Sequence, residues 1–292
     1  MHETDVFSPK QGHSINKTTV LEGYPRIVSL VPSITELLFD MGLGDYVVGR
    51  TGFCIHPAVG VQAVPKVGGT KDVNLAKIRR LAPTHVVVNV DENQLATVQA
   101  LRAFVPNVVV THPVAPIDNL TMIDQISEAI STHQFIAHND HLSLTLDLKS
   151  KITEKLANLE LRTLHKPQKV LYLIWKDPWM TVARDTYISQ MLALVGWQTW
   201  PNSQGGDGIT APGAARYPVL TGEEVWLAQI DRVLLSSEPY SFKDEHIQQV
   251  QQWLPHAKVQ LVDGEMLSWY GSRAVAGLDY LAQLAKPEGG AK

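Results

Sequence analysis

From Arg26 onward, short runs of β-branched residues alternate with stretches in which apolar residues recur every three or four positions. The runs Arg26–Val31, Tyr46–Thr51, His85–Val90 and Val108–His112 are almost continuously apolar, the pattern of parallel strands covered on both faces. Between them Ser33–Met41, Asn74–Leu81 and Glu92–Phe104 carry helical spacing. The second half repeats the scheme. Strands are expected at Lys169–Trp175, Arg232–Ser236 and Val259–Val262, with helices at Thr186–Val195, Gly222–Ala228, Lys243–Trp253 and Ser272–Leu284. Such alternation implies βαβ units and parallel sheets.

The interval Ile117–Leu164 breaks this rhythm, for it has no strand pattern. Within it Leu144, Leu148, Ile152, Leu156 and Leu159 form one apolar stripe, so a helix is expected from about His138 to Leu164. At 1.5 Å per residue it would measure about 40 Å, enough to brace two lobes. VNLAKIRRLAPTHVVVN, starting at Val73, also lays onto LTGEEVWLAQIDRVLLS, starting at Leu220, as a faint internal repeat. The fold expected is therefore α/β: two Rossmann-like lobes joined by a single long backbone helix, with a ligand cleft between the lobes. The division is an N-terminal extension over 1–23, a first lobe over 24–137, the interlobe helix over 138–165 and a second lobe over 166–292.

Charge and cysteine content narrow the function. A formal net charge of -4 without a basic stripe argues against nucleic acid and anionic membrane surfaces as partners. The histidines lack paired metal-site spacing, and His112, His133, His138 and His141 are expected to be solvated. The single cysteine, Cys54, excludes an internal disulfide. Residues 1–23 carry polar and acidic side chains where a secretory signal has a basic start and an apolar run. A cytoplasmic location is therefore expected, or a periplasmic one if the start is truncated.

Candidate chemistry gathers at the carboxyl ends of the strands, where open α/β sheets bind ligands. Pro32 and Ser33 follow the first strand, and Ser33 with Glu36 reads as a capping box. Phe53, Cys54 and His56 follow the second, and Thr70 lies in the next loop. In the second half Trp175, Trp179, Arg216, Tyr217, Glu238, Tyr240, Trp269, Tyr270 and Arg273 occupy comparable loops. Core strands usually end in small turn residues, so this concentration of aromatics, Phe242 included, suggests an apolar wall for a large planar ligand. The mixed charges of Asp72, Glu92, Arg184, Arg216, Glu238 and Arg273 suit hydrogen bonding to amide groups better than capture of one strongly anionic ligand. Dinucleotide, phosphate-loop and nucleophile-elbow motifs are missing from the sequence, so no enzyme is expected and no cofactor acting as a catalyst.

RIVSLVPSITELLFDMGLGDYVVG, VGGTKDVNLAKIRRLAPTHVVV, WKDPWMTVARDTYI and DGEMLSWYGSR resemble the cobalamin and ferric-siderophore binding proteins of ABC importers, a branch described as helical-backbone metal receptors. The resemblance implies two lobes on one rigid helix and non-catalytic binding of a corrinoid, a cobalamin-like ligand, in the cleft. A ferric siderophore or haem is the rival ligand. A tetrapyrrole metal chelatase, working through His56 and Glu238, is the rival class. Importer-coupled members present one surface carboxylate per lobe to their permease. Glu223 matches that position in the second lobe, whereas Ala76 stands at the first-lobe position, which puts permease docking in doubt.

Overall fold

The computed structural model describes residues 24–131, 138–160, 167–205 and 216–286. Two sheets account for its strands. β1 (Ile27–Ser29), β2 (Val47–Arg50), β3 (His85–Asn89) and β4 (Asn107–Thr111) form the first, in the order β2-β1-β3-β4. β5 (Gln168–Leu173), β6 (Trp197–Thr199), β7 (Arg232–Ser236) and β8 (Lys258–Val262) form the second, in the order β6-β5-β7-β8. Every pairing is parallel, with His85 opposite Asn107 in one sheet and Val170 opposite Arg232 in the other. The two orders are the same once each lobe is counted from its own first strand. The two segments of the faint sequence repeat lead into β3 and β7, which hold the same place in their sheets.

Helices cover both faces. In the first lobe they are α1 (Pro32–Asp40), α2 (Leu75–Arg80), α3 (Leu95–Arg102) and α4 (Asp118–Ser131). Then α5 (His138–Glu160) leads to the second lobe, which holds α6 (Tyr187–Ala193), α7 (Asp244–Trp253), α8 (Gly264–Ser268) and α9 (Arg273–Leu284). Alternate strand residues point to opposite faces, so each sheet feeds two apolar layers. Val28, Val86 and Val88 pack under α2 and α3 on the first lobe's outer side, and Leu171, Leu173, Val233 and Leu235 do the same in the second lobe. The other faces merge. Ile27, Val87, Tyr172 and Leu234 belong to one continuous core that runs through Leu148, Ile152, Leu156 and Leu159 of α5. Burying one such side chain stabilises the fold by about 1.5–3 kcal/mol.

α5 has 23 residues, about 34 Å at the standard rise; the expected extension to Leu164 lies outside the described residues, as do the 1–23 segment and His133. Four residues of the expected stripe are buried, but Leu144 is exposed. The buried positions at the start of the helix are polar instead. His141 is buried, its ring nitrogens 2.8 Å from the Met41 carbonyl and 3.1 Å from Ser127 Oγ, so it is not solvated as expected. Near the far end Lys155 pairs with Asp279 of α9 at 2.8 Å.

Two local expectations are corrected. The capping box does not form: α1 starts at Pro32, whose fixed φ suits the first helical position, so Val31 is the N-cap and Ser33 falls inside the first turn. Glu36 turns outward to Arg273. The helix expected at Gly222–Ala228 is a single 3-10 turn, Val225–Gln229, because Glu224 accepts from the Thr221 and Gly222 amides and holds the chain in a turn. Two elements, α4 and β6, lay outside the sequence expectation altogether.

Candidate functional site

Both sheets aim their carboxyl ends at the same region, and side chains from the two lobes meet there. The β3–α3 loop is held rigidly. Asn93 Oδ1 accepts from the Asn89 amide at 2.9 Å while its Nδ2 donates to the Thr70 carbonyl at 3.0 Å, and the Asp91 amide donates to Asn89 Oδ1 at 2.8 Å. This clamp presents Asp91 and Glu92. Opposite them, the turn between α8 and α9 carries Trp269, Tyr270 and Gly271. Gly271 has φ +86°, and a Cβ there would sit 3.1 Å from Leu37 of the first lobe, so glycine is required both by its conformation and by the close approach.

The contacts across the gap fall into two groups. Deep in the molecule, the fully buried Asn119 of α4 accepts from the Gly271 amide at 2.6 Å and donates to the Tyr187 hydroxyl at 3.0 Å. At the rim the contacts are charged. Arg273 donates to both oxygens of Glu36, at 2.6 and 2.8 Å, and also holds Glu265 at 2.9 Å. Arg216 holds Asp91 at 3.1 Å and Asp185 at 3.6 Å. His56 Nε2 lies 3.3 Å from Glu265, and its ring meets Trp269 edge-on at 5.5 Å. Between floor and rim, the Tyr270 hydroxyl donates to Glu92 at 2.7 Å, and within its own lobe Trp269 Nε1 donates to Glu238 at 3.1 Å.

Burial sets the electrostatics. Glu92 is pushed up to about 7 by loss of solvent; the Tyr270 hydrogen bond and Lys71 pull the other way, while Asp91 and Glu238 add to the rise. Glu238 is also raised, first by burial and then by Glu265. Burial alone would raise Asp91 too, but His112 and Arg216 outweigh it and leave that carboxyl below its usual value. Burial also carries the Tyr270 phenol well above its ordinary range.

The sequence-selected residues divide accordingly. Ser33, His56, Arg216, Glu238, Trp269, Tyr270 and Arg273 converge on this region, with the Ser33 hydroxyl beside the Tyr270 phenol. Tyr217 adjoins Arg216, its hydroxyl raised chiefly by burial. Pro32 opens α1, and Thr70 joins through its carbonyl. Phe53 and Trp175 are exposed, Phe53 beside Gly69 and Trp175 against Tyr240. Others turn inward to their own lobe. Trp179 stacks on Phe242 and Trp253 in the second lobe's outer core, where Phe242 is buried. Cys54 is fully buried with its Sγ 3.1 Å from Thr51 Oγ1, and burial raises its thiol. Arg184 donates to the Thr199 carbonyl. His56 does not face Glu238, as the chelatase alternative required; Trp269 contacts both. Glu223 and Ala76 are exposed, away from these contacts.

Sequence reasoning missed Glu36, Asp91, Asn93, Asn119 and Glu265 as site residues. Asn119 had a signal, a polar residue in a stripe otherwise made of Leu120, Ile123 and Ile126. Among the described residues no group of three histidine, cysteine or carboxylate side chains is arranged to hold a metal ion, and no helix is long and apolar enough to cross a membrane.

Comparison with known proteins agrees with this architecture. An uncharacterized ABC transporter substrate-binding lipoprotein of Bacillus subtilis (strain 168) is 25% identical over 300 residues, covering 98% of this chain and 88% of the relative. The crystal structure of the periplasmic vitamin B12 binding protein BtuF of Vibrio cholerae superposes with a TM-score of 0.71 at 18% identity, over 90% of this chain and 97% of that one. The periplasmic heme binding protein HutB of Vibrio cholerae gives 0.70 at 21% identity, over 90% and 99%. These relatives overturn the cytoplasmic expectation: lipoprotein and periplasmic proteins work outside the cytoplasm. That expectation rested on residues 1–23, which bear on export and not on the fold. The periplasmic binding protein family model matches residues 27–253, and the chain belongs to that family.

Proposed function

We propose that the chain captures a corrinoid, a cobalamin-like ligand, in the gap between its lobes for delivery to an importer, without chemical conversion. The observation that carries this reading is the state of the rim charges. Each of the two rim arginines, Arg216 and Arg273, already holds two carboxylates. A propionate or catecholate ligand would have to compete with those carboxylates for the same arginine donors. Corrinoid side groups are mostly neutral amides, which hydrogen-bond to such a rim without displacing its charges. The exposed aromatic surfaces of Phe53 and Trp175 supply apolar area for a macrocycle. Tyr270, high above its usual range and hydrogen-bonded to Glu92, is a poor source of a phenolate for haem iron. The vitamin B12 binding neighbour fits this choice and the heme binding neighbour supplies its rival.

Titration of the purified protein with cyanocobalamin, dicyanocobinamide, haemin and a ferric siderophore, followed by absorbance and tryptophan fluorescence, tests the assignment. Saturable binding of a corrinoid, tighter than that of haemin or the siderophore, is expected. Saturation by haemin with no corrinoid response overturns it.

A further inference from the structure

Two carboxyl groups beside the gap are each held by one residue of the turn between α8 and α9. Trp269 and Tyr270 are consecutive, yet they reach in different directions. Trp269 Nε1 donates to Oε2 of Glu238 on its own lobe, and the Tyr270 hydroxyl donates to Oε1 of Glu92 on the opposite lobe. Each carboxyl group is thus fixed through one oxygen by a rigid aromatic donor. Among the described residues neither second oxygen receives a hydrogen bond or an ion pair. These two carboxyl groups are close enough that Glu238 raises the proton affinity of Glu92.

Ser33 of α1, only 3% exposed, lies beside the Tyr270 phenol, so the first lobe flanks that ring from α1 as well as from the β3–α3 loop.

We infer that Glu92 and Glu238, held by Tyr270 and Trp269, are specificity-determining residues: an acceptor pair that receives amide N–H groups of the ligand periphery and turns away ligands bearing carboxylates. The inference rests on the corrinoid reading of the cleft and adds the basis of its selectivity. An amide N–H placed on a carboxyl oxygen gains a hydrogen bond strengthened by any charge on that oxygen. A propionate placed there meets like charge on any ionised oxygen. Such an unfavourable juxtaposition against the wrong ligand is a common source of discrimination.

The test compares the wild type with Glu92→Gln, Glu238→Gln and the double variant, titrated separately with dicyanocobinamide and haemin. Glutamine has nearly the same shape and keeps an acceptor, and thermal unfolding of each variant checks that it is folded. For the wild type, cobinamide should bind at least about tenfold more tightly than haemin, and in the double variant that ratio should fall by about tenfold or more, with haemin binding gaining. A wild type that prefers cobinamide, with folded variants that keep the same ratio, overturns the filter and leaves the corrinoid reading intact. A wild type that prefers haemin overturns both. Tyr270→Phe is an independent check, since it frees Glu92 from its donor without changing charge; a lowered cobinamide affinity supports the pairing, and an unchanged one counts against it.

Discussion

The floor and the rim of the interlobe gap are built from different chemistry. At the floor, one core runs unbroken from the first sheet through α5 to the second, and the polar bridge from Asn119 to Gly271 and Tyr187 is neutral and buried. At the rim, Arg273, Arg216 and His56 face Glu36, Asp91 and Glu265, all partly open to solvent. A neutral, buried floor responds little to salt or pH; a partly solvated charged rim is screened and exchangeable. The difference assigns stability to one region and ligand exchange to the other. A stiff helix fixed to both lobes also limits their relative movement to small displacements.

The strongest challenge to this contrast is Ile152→Ala, at the centre of the α5 stripe, where no surface remains exposed. It should cost about 2–5 kcal/mol in chemical denaturation; a loss under about 1 kcal/mol would mean that α5 does not bind the lobes into one core. Next comes Glu92. Its carboxyl sits at about 7 in the fold against an ordinary value of 4.5, so folding favours the protonated form. The sign follows by linkage: below the unfolded value both states hold the proton and nothing is lost, and stability declines as pH climbs from about 4.5 to 7, by at most about 3 kcal/mol, then levels off. Lys71, Asp91, Glu238 and Tyr270 face the group and shape the curve. Denaturation of wild type and Glu92→Gln across pH 4–8 should show the wild type losing ground to the variant over that interval; parallel curves would contradict the buried acid.

A smaller effect is expected from the aromatic wall. Trp175→Ala should weaken corrinoid binding by about 1–3 kcal/mol in fluorescence or absorbance titration, and Trp269→Ala, which frees Glu238 from its donor, should act in the same direction. Unchanged affinity in both would place the ligand elsewhere. Smallest of all is Glu36→Gln. It removes one half of an ion pair at a partly solvated rim, so stability should drop by no more than about 1 kcal/mol, and less at high salt. A larger loss, insensitive to salt, would make the rim part of the core after all.

Much of the fold was legible because its strands are short, apolar and doubly covered: His85–Asn89 and Arg232–Ser236 stand where their β-branched runs predicted them. β6 escaped because three residues, Trp197–Thr199, cannot establish a period. α4 escaped for another reason. Leu120, Ile123, Ile126 and Ile130 do form a helical stripe, but it lies beside the longer stripe of α5 and was absorbed into the strandless interval. Of the site, Trp269, Tyr270 and Glu238 were visible as unusual residues for strand ends. Their partners were not, because Glu36, Asp91 and Glu265 are ordinary surface types whose significance comes from the opposite lobe. The location inferred from residues 1–23 failed for the same kind of reason: a local segment was asked about a property shared by relatives of the whole body.

The adjacency of Trp269 and Tyr270 has a practical consequence. One neighbour secures a group on its own side and the next grips the far side, so two peptide units connect the reading of cargo to the joining of the halves. Any redesign of this turn for a new molecule will alter how firmly the jaws meet, and indole emission from Trp269 offers a built-in gauge of whether the space is filled.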